Sequence, residues 1–200
     1  MRPLALIAGV NRALAVVCGY ALLALTFLIV FEIFARRLLG FSLQGVDEIG
    51  GYVVAITGTF GFAYALLERS HTRIDIVLNR FAGRGRSLLN ALAMLMVAAA
   101  ALFMTWYAYR ALGDSIEFNS RAATPLQTPI WIPQSLWLAG LVLFSVTGVA
   151  LAVHAVLLAA RDPREANRRY GPSSLEEEIE RELTDASARA GRVAGSGKQR

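Results

Sequence analysis

Uncharged residues of this chain fall into four long runs, and the charged residues collect in the stretches between them. Inside the runs only Glu32 and His154 carry an acidic, basic or imidazole side chain. About 20 helical residues cross the roughly 30 Å hydrocarbon core of a bilayer. The pattern therefore predicts an all-α integral membrane protein with four transmembrane helices in a membrane domain over residues 1–160. The predicted spans cover about residues 13–35, 49–67, 88–109 and 133–160.

Two further segments outside the spans have a helical pattern. After the second span, apolar residues from Ile74 to Phe81 lie beside arginines, which is typical of a short helix lying in the membrane interface. The cytoplasmic tail, residues 161–200, has a capping-box signal at Ser174 and Glu177, which predicts an amphipathic helix over about 175–190. We expect the last residues of the tail to be disordered.

The second span is unusual because it is rich in glycine, a residue that weakens helices in water by about 1 kcal/mol relative to alanine. In a membrane, small residues at steps of three and four let a second helix approach closely. Such a stripe contains Gly51, Ala55, Gly58, Phe62 and Ala65, and Gly61 lies near it. We expect the stripe to pack against the chain's own helices; a docking face for another protein is the alternative.

The distribution of arginine indicates the orientation of the spans. Eleven arginines lie in the N-terminus, the second connection and the start of the tail, against four in the first and third connections. The excess of positive residues on the cytoplasmic side predicts that both termini face the cytoplasm of a bacterial inner membrane. Because the arginines are spread among the connections, the net charge of +5 does not indicate nucleic-acid binding.

Charged residues around the first connection form a candidate site. Glu32 precedes Arg36 by one helical turn, Arg37 follows, and Asp47 and Glu48 open the next helix. We expect a polar cluster at the outer membrane face, with these carboxylates as partners of the two arginines. Its role is either structural or contact with a partner protein.

The chemistry that the sequence offers for catalysis is sparse. His71, Arg73 and Asp75 alternate after the second span, but one histidine and one carboxylate fall short of a metal site. We therefore expect no enzyme activity, cofactor or metal. One open alternative is a stand-alone four-span protein, such as an electron carrier that holds haem between His71 and His154.

Several of these segments resemble one known family. They are Phe34-Ala35-Arg36-Arg37, the Asp47-Glu48 helix start, residues 60–65, His71-Thr72-Arg73-Ile74-Asp75, and residues 128–133 before the last span. In this order and spacing the chain resembles the small permease subunit, the DctQ-like family, of tripartite ATP-independent periplasmic (TRAP) transporters. The resemblance covers about residues 10–160. Many family members have a tryptophan just before the acidic pair, where this chain has Gln44, Gly45 and Val46.

The resemblance implies a non-catalytic subunit in a complex. A large multi-spanning permease subunit would carry the substrate and sodium, and a periplasmic binding protein would deliver the substrate, often a carboxylate such as a C4-dicarboxylate. The small subunit would brace the large one in the lipid bilayer during symport. The candidate residues for the partner interface or for a structural role are Glu32, Arg36, Arg37, Asp47, Glu48, Gly51, Gly58, Gly61, His71, Arg73 and Asp75.

Overall fold

The computed structural model describes residues 2–68, 83–170, 183–184 and 186–187. Within these ranges the chain is helical and contains no strand beyond an isolated bridge between Arg121 and Pro129. Four of its helices are long and apolar enough to cross a membrane, which confirms the prediction of an all-α membrane protein. The elements are α1 (Arg2–Phe34) with a π-helical turn (Ala35–Leu39), α2 (Val46–Leu67), α3 (Gly83–Glu117), α4 (Trp131–Arg161) and α5 (Pro163–Tyr170).

Two glycines in left-handed conformation bound the connection between α1 and α2. Gly40, at a φ of 71°, ends the π-helical turn, and Gly45, at a φ of 87°, comes directly before α2. Glycine adopts this conformation without the steric cost that a Cβ brings. Gly45 has a second constraint, because the side chain of Leu126 occupies the space that a Cβ would need. Any other residue at position 45 would therefore be strained in its backbone and would displace the side chain of Leu126.

The long helices make their main contacts in a row, in which α1 packs on α2, α2 on α4, and α4 on α3, while the buried Asn11 of α1 also reaches α4. The short helix α5 folds back against α3 and α4. The apolar core is built from small residues and a few large ones, including Ala63 and Leu66 of α2, Met94 of α3 and Phe144 of α4. Helix α4 is thus the central element, with a neighbour on each side.

Small residues of α4 allow the closest contacts between helices. A Cβ added at Gly140 would lie 2.8 Å from the Cβ of Thr59 and 3.2 Å from the backbone nitrogen of Phe60. At Gly148 it would lie 3.5 Å from the Cα of Ala98. Gly140 therefore sets the distance between α4 and α2, as small residues do in other membrane helix pairs, whereas Gly148 lies in ordinary packing distance of α3.

The glycine stripe of α2 does not pack as we expected. Around Gly51, Gly58 and Gly61, no atom of a described neighbouring element lies within 4 Å of an added Cβ. Helix α2 meets α4 through Thr59, which is buried, and through Ala63 and Leu66. The expectation that the stripe packs the chain's own helices is therefore wrong for its glycines, whereas Phe62 of the stripe does pack on α4, with its ring centre 5.8 Å from that of Phe144.

Hydrogen bonds between helices also converge on α4. The Thr105 Oγ1 of α3 donates to the Leu141 carbonyl at 3.1 Å and lies 2.8 Å from the Ser145 Oγ. On the other side, the Asn11 Nδ2 of α1 donates to the Thr147 Oγ1 at 3.2 Å. Lipid offers no hydrogen-bonding partners, so these side chains must find them in the protein.

Helix α5 was not predicted from the sequence. Asp162 caps it, since its Oδ1 accepts hydrogen bonds from the backbone N–H groups of Arg164 at 3.0 Å and Glu165 at 3.1 Å. Pro163 occupies the first helical position, where its fixed φ favours a helix. The predicted interfacial helix lies outside the described residues. Of the predicted tail helix only residues 183–184 and 186–187 are described, and they are helical.

We predict that Gly140→Ala lowers the thermal stability of the protein in detergent. The added methyl would overlap Thr59 and force α2 away from α4, at a cost of about 1 to 3 kcal/mol for overpacking. The measurement is the midpoint of thermal unfolding. Gly51→Ala is the matched control, because its methyl meets open space and should leave the midpoint nearly unchanged. Equal midpoints for the two variants would contradict the proposed role of Gly140.

Candidate functional site

The candidate site lies where the connection between α1 and α2 meets the segment before α4. We call it the junction cluster and define it by Glu32, Arg36, Ser42, Glu48, Tyr52, Thr124 and Thr128. Its two carboxylates are both buried, Glu32 with 4% and Glu48 with 8% of the residue surface exposed. Each is the acceptor of a separate set of hydrogen bonds.

Glu32 pairs with Arg36, as the spacing of one helical turn indicates. The Arg36 Nε donates to Glu32 Oε1 at 3.0 Å and the Nη2 donates to Oε2 at 2.6 Å, which is a two-pronged ion pair. Ser42 Oγ, from beyond the Gly40 turn, adds a third hydrogen bond to Oε1 at 2.8 Å. The side chain of Arg36 nevertheless stays 65% exposed. Glu32 thus ties the end of α1 to the following connection and leaves Arg36 on the surface.

Glu48 is held by neutral donors. The Tyr52 hydroxyl, one turn later on α2, donates to Oε1 at 2.8 Å, and the Thr124 hydroxyl donates to Oε2. Thr128 lies beside the same carboxylate and favours its charged form. Glu48 therefore joins the first turn of α2 to residues 124–128, a segment 76 residues away at Thr124. As a carboxylate in the first helical turn, it also faces the positive end of the helix dipole.

The helix-start carboxylates do not form close ion pairs with the arginines, although Asp47 lines the same cavity as Arg36 and attracts it electrostatically. Among the described residues the one ion pair within 4 Å joins Arg36 to Glu32. Glu48 is occupied by Tyr52 and the two threonines, and Asp47 points to the exposed surface. Arg37 is also exposed. The reason is helical geometry, since Asp47 and Glu48 are successive residues and lie on different sides of α2.

A cavity of about 300 Å³ lies between the two carboxylates. Its lining includes Glu32, Arg36, Asp47, Glu48 and Thr124, together with residues of the connection between α1 and α2. The carboxylates already accept several hydrogen bonds each, so the arrangement is suited to fixing these segments rather than to proton transfer. In the part of the chain that the structure describes, no three potential metal ligands lie together.

The sequence did not point to Tyr52, Thr124 or Thr128 as members of the cluster. Tyr52 follows Glu48 by four residues, a spacing that would have allowed the contact to be found. The threonines belong to a proline-rich segment whose distance in sequence gives no such signal. His71, Arg73 and Asp75 lie outside the described residues. His154 contacts the Tyr170 hydroxyl through Nδ1 at 2.6 Å and so has its partner on α5.

We predict that Glu48→Gln destabilises the protein by about 1.5 to 3 kcal/mol, the range for hydrogen bonds to a charged group. The amide has one acceptor oxygen in place of two, so it cannot satisfy Tyr52 and Thr124 as the carboxylate does. Thermal unfolding in detergent measures the loss. Asp47→Asn, at the exposed neighbouring position, should lose less, because only its contact with the helix dipole weakens. An equal loss in both variants would contradict the role given to Glu48.

Comparison with known proteins gives one family. The family model described as "Tripartite ATP-independent periplasmic transporters, DctQ component" matches residues 25–158, more than half of the chain. No protein in a search of curated sequences matches. The matched region contains the junction cluster, all of α2 and α3, and most of α4. We conclude that the chain belongs to the DctQ family of TRAP transporter components, the family that its sequence resembles.

Proposed function

We propose that this protein is the small membrane subunit that braces a large permease subunit of a TRAP-type transporter. The complex would take up an organic acid, delivered by a periplasmic binding protein, with sodium as the coupling ion. Membership of the DctQ family supports a transporter component in the inner membrane. The bracing role is supported most directly by the uncovered side of α1 and α2.

The two N-terminal helices are the least covered of the four long ones. In their most apolar stretches 6% of residues in α1 and 17% in α2 are buried, against 28% in α3 and 39% in α4. The stripe with Gly51, Ala55 and Gly58 is exposed on α2. Small residues exposed in a membrane span permit close approach of another helix. A partner permease docked on this side would cover the surfaces of α1 and α2 that the chain's own helices leave exposed.

The junction cluster supports the same role because it makes one end of this side rigid. It ties the end of α1, the start of α2 and residues 124–128 together through two buried carboxylates. Arg36 stays on the surface of the cluster and is available to a partner. A brace must keep its shape while the partner moves, and charge-assisted hydrogen bonds at a helix junction serve that need.

The test of this proposal is affinity purification of the full chain in mild detergent, followed by identification of the proteins that accompany it. A large multi-spanning permease in the purified sample would support the proposal. Purification of the chain alone, under conditions that keep other membrane complexes together, would contradict it.

We predict that Gly58→Leu reduces co-purification of the permease and substrate uptake together. Leucine raises the hydrophobicity of α2, so insertion should persist, while its side chain would hold a docked helix away. The amount of protein in the membrane, the permease yield and uptake are all measured. Gly113→Leu, on α3 and equally free of neighbours within 4 Å, is the control. Normal co-purification of the Gly58 variant would mean that the stripe faces lipid.

We also predict that both termini are cytoplasmic, from the distribution of arginine. Fusions of a reporter that is active only in the periplasm, placed at Gly40 and at Arg200, test the orientation. Activity is expected at Gly40 and not at Arg200. The reverse result would overturn the orientation and place the junction cluster on the cytoplasmic side.

A further inference from the structure

A second uncovered surface lies between α3 and α4, far from the junction cluster. It is an apolar groove of about 640 Å³ at the end of the bundle where α3 begins and α4 ends. Leu88, Leu92 and Leu95 of α3 form one wall, and Val156 with neighbouring alanines of α4 forms the other. The leucines are open to the surroundings, with 70% of Leu88 and 48% of Leu92 exposed.

One charged residue lines this groove. Arg84 stands at its end, is exposed, and has no carboxylate among the described residues within ion-pair distance. The backbone beside Arg84 is held by Asn167 of α5. The Asn167 Nδ2 donates to the Gly83 carbonyl at 2.9 Å, and the Asn90 Nδ2 donates to the Asn167 Oδ1 at 3.2 Å. The start of α3 is thus anchored next to a guanidinium group that has no acidic partner in the described part of the chain.

The dimensions match one leaflet of a bilayer. From Arg84 to Leu95 the helix rises roughly 16 Å at about 1.5 Å per residue. Half of the hydrocarbon core is about 15 Å thick. A groove of this length, apolar along its walls and positive at its end, is complementary to a lipid with an anionic head group. Arg161, which ends α4 directly after the groove-lining alanines, adds a second positive charge at the same end.

We propose that this groove binds an anionic phospholipid, with an acyl chain along the leucines and the phosphate at Arg84. Guanidinium groups form strong, directional hydrogen bonds with phosphate oxygens. Basic pockets between membrane helices on the cytoplasmic side are suited to anionic head groups, and the arginine distribution predicts that side for Arg84. The lipid fills the space between α3 and α4 and holds the two helix ends together. The site is independent of the side of α1 and α2 assigned to the permease.

The experiment is native mass spectrometry of the full chain in detergent, titrated with phosphatidylglycerol or phosphatidylcholine of identical acyl chains. We expect phosphatidylglycerol to bind about fivefold more tightly, from the effect of one arginine near an anionic head group. Arg84→Gln should lower this preference several-fold, because only Arg161 then remains at that end, and Arg84→Lys should retain it. Arg110→Gln, at an exposed position near the other end of α3, is the control for loss of charge and should also retain it.

A second pair of variants tests the apolar part of the site. Leu92→Trp should fill the groove and weaken binding of both lipids, while Leu102→Trp, a similarly exposed position of α3 outside the groove, should not. An unchanged preference in Arg84→Gln, or equal binding by the two tryptophan variants, would overturn the proposal. Loss of the phosphatidylglycerol site when a permease accompanies the chain would also overturn it, because a protein would then be the occupant.

Discussion

The close packing of α4 against its two neighbours is the interaction on which the rest of this structure depends. Lipid is as apolar as leucine, so burial of apolar surface does little to hold helices together inside a membrane. Contact distance and hydrogen bonds must do so instead. Gly140 lets α2 approach to the backbone nitrogen of Phe60, and Gly148 lets α3 approach through Ala98. The hydroxyl contact between Thr105 and Ser145 lies on this same helix. These small and polar positions, together with the packed core residues, join α2 and α3 through α4.

The junction cluster solves a different problem, which is how to hold carboxylates at the edge of a membrane. A buried charge needs partners, and Glu32 and Glu48 obtain theirs in different ways. Glu32 uses a guanidinium group from its own helix end, while Glu48 uses hydroxyl groups from its own helix and from a distant segment. The first arrangement fixes a local turn. The second joins parts of the chain that would otherwise be separate, and it therefore contributes more to the shape of this end of the protein.

The sequence predicted those features that depend on near neighbours. Four apolar runs indicated the class of fold, and a spacing of four residues indicated the pair of Glu32 and Arg36. Asp162 followed by Pro163 is a typical helix start and could have predicted α5. The helix was missed because only two residues separate it from the predicted end of the last span. The contact between Glu48 and Thr124 could not be predicted, since nothing local relates residues 76 positions apart. The same holds for the glycines: the pattern identified small faces, yet whether Gly58 or Gly140 meets another helix depends on how the helices are arranged.

The arrangement in a row explains why the chain has two uncovered surfaces. In a closed bundle of four helices each member touches others on several sides, whereas here α1 and α3 stand at opposite ends with one principal neighbour each among the long helices. A row buries less of each helix, and the small share of buried residues in α1 is the consequence. The close contacts hold the helices together within the row, while its faces stay open. In the proposals above a permease covers the side of α1 and α2, and a lipid fills the groove between α3 and α4. The open faces of the row are thus the surfaces on which both proposals depend.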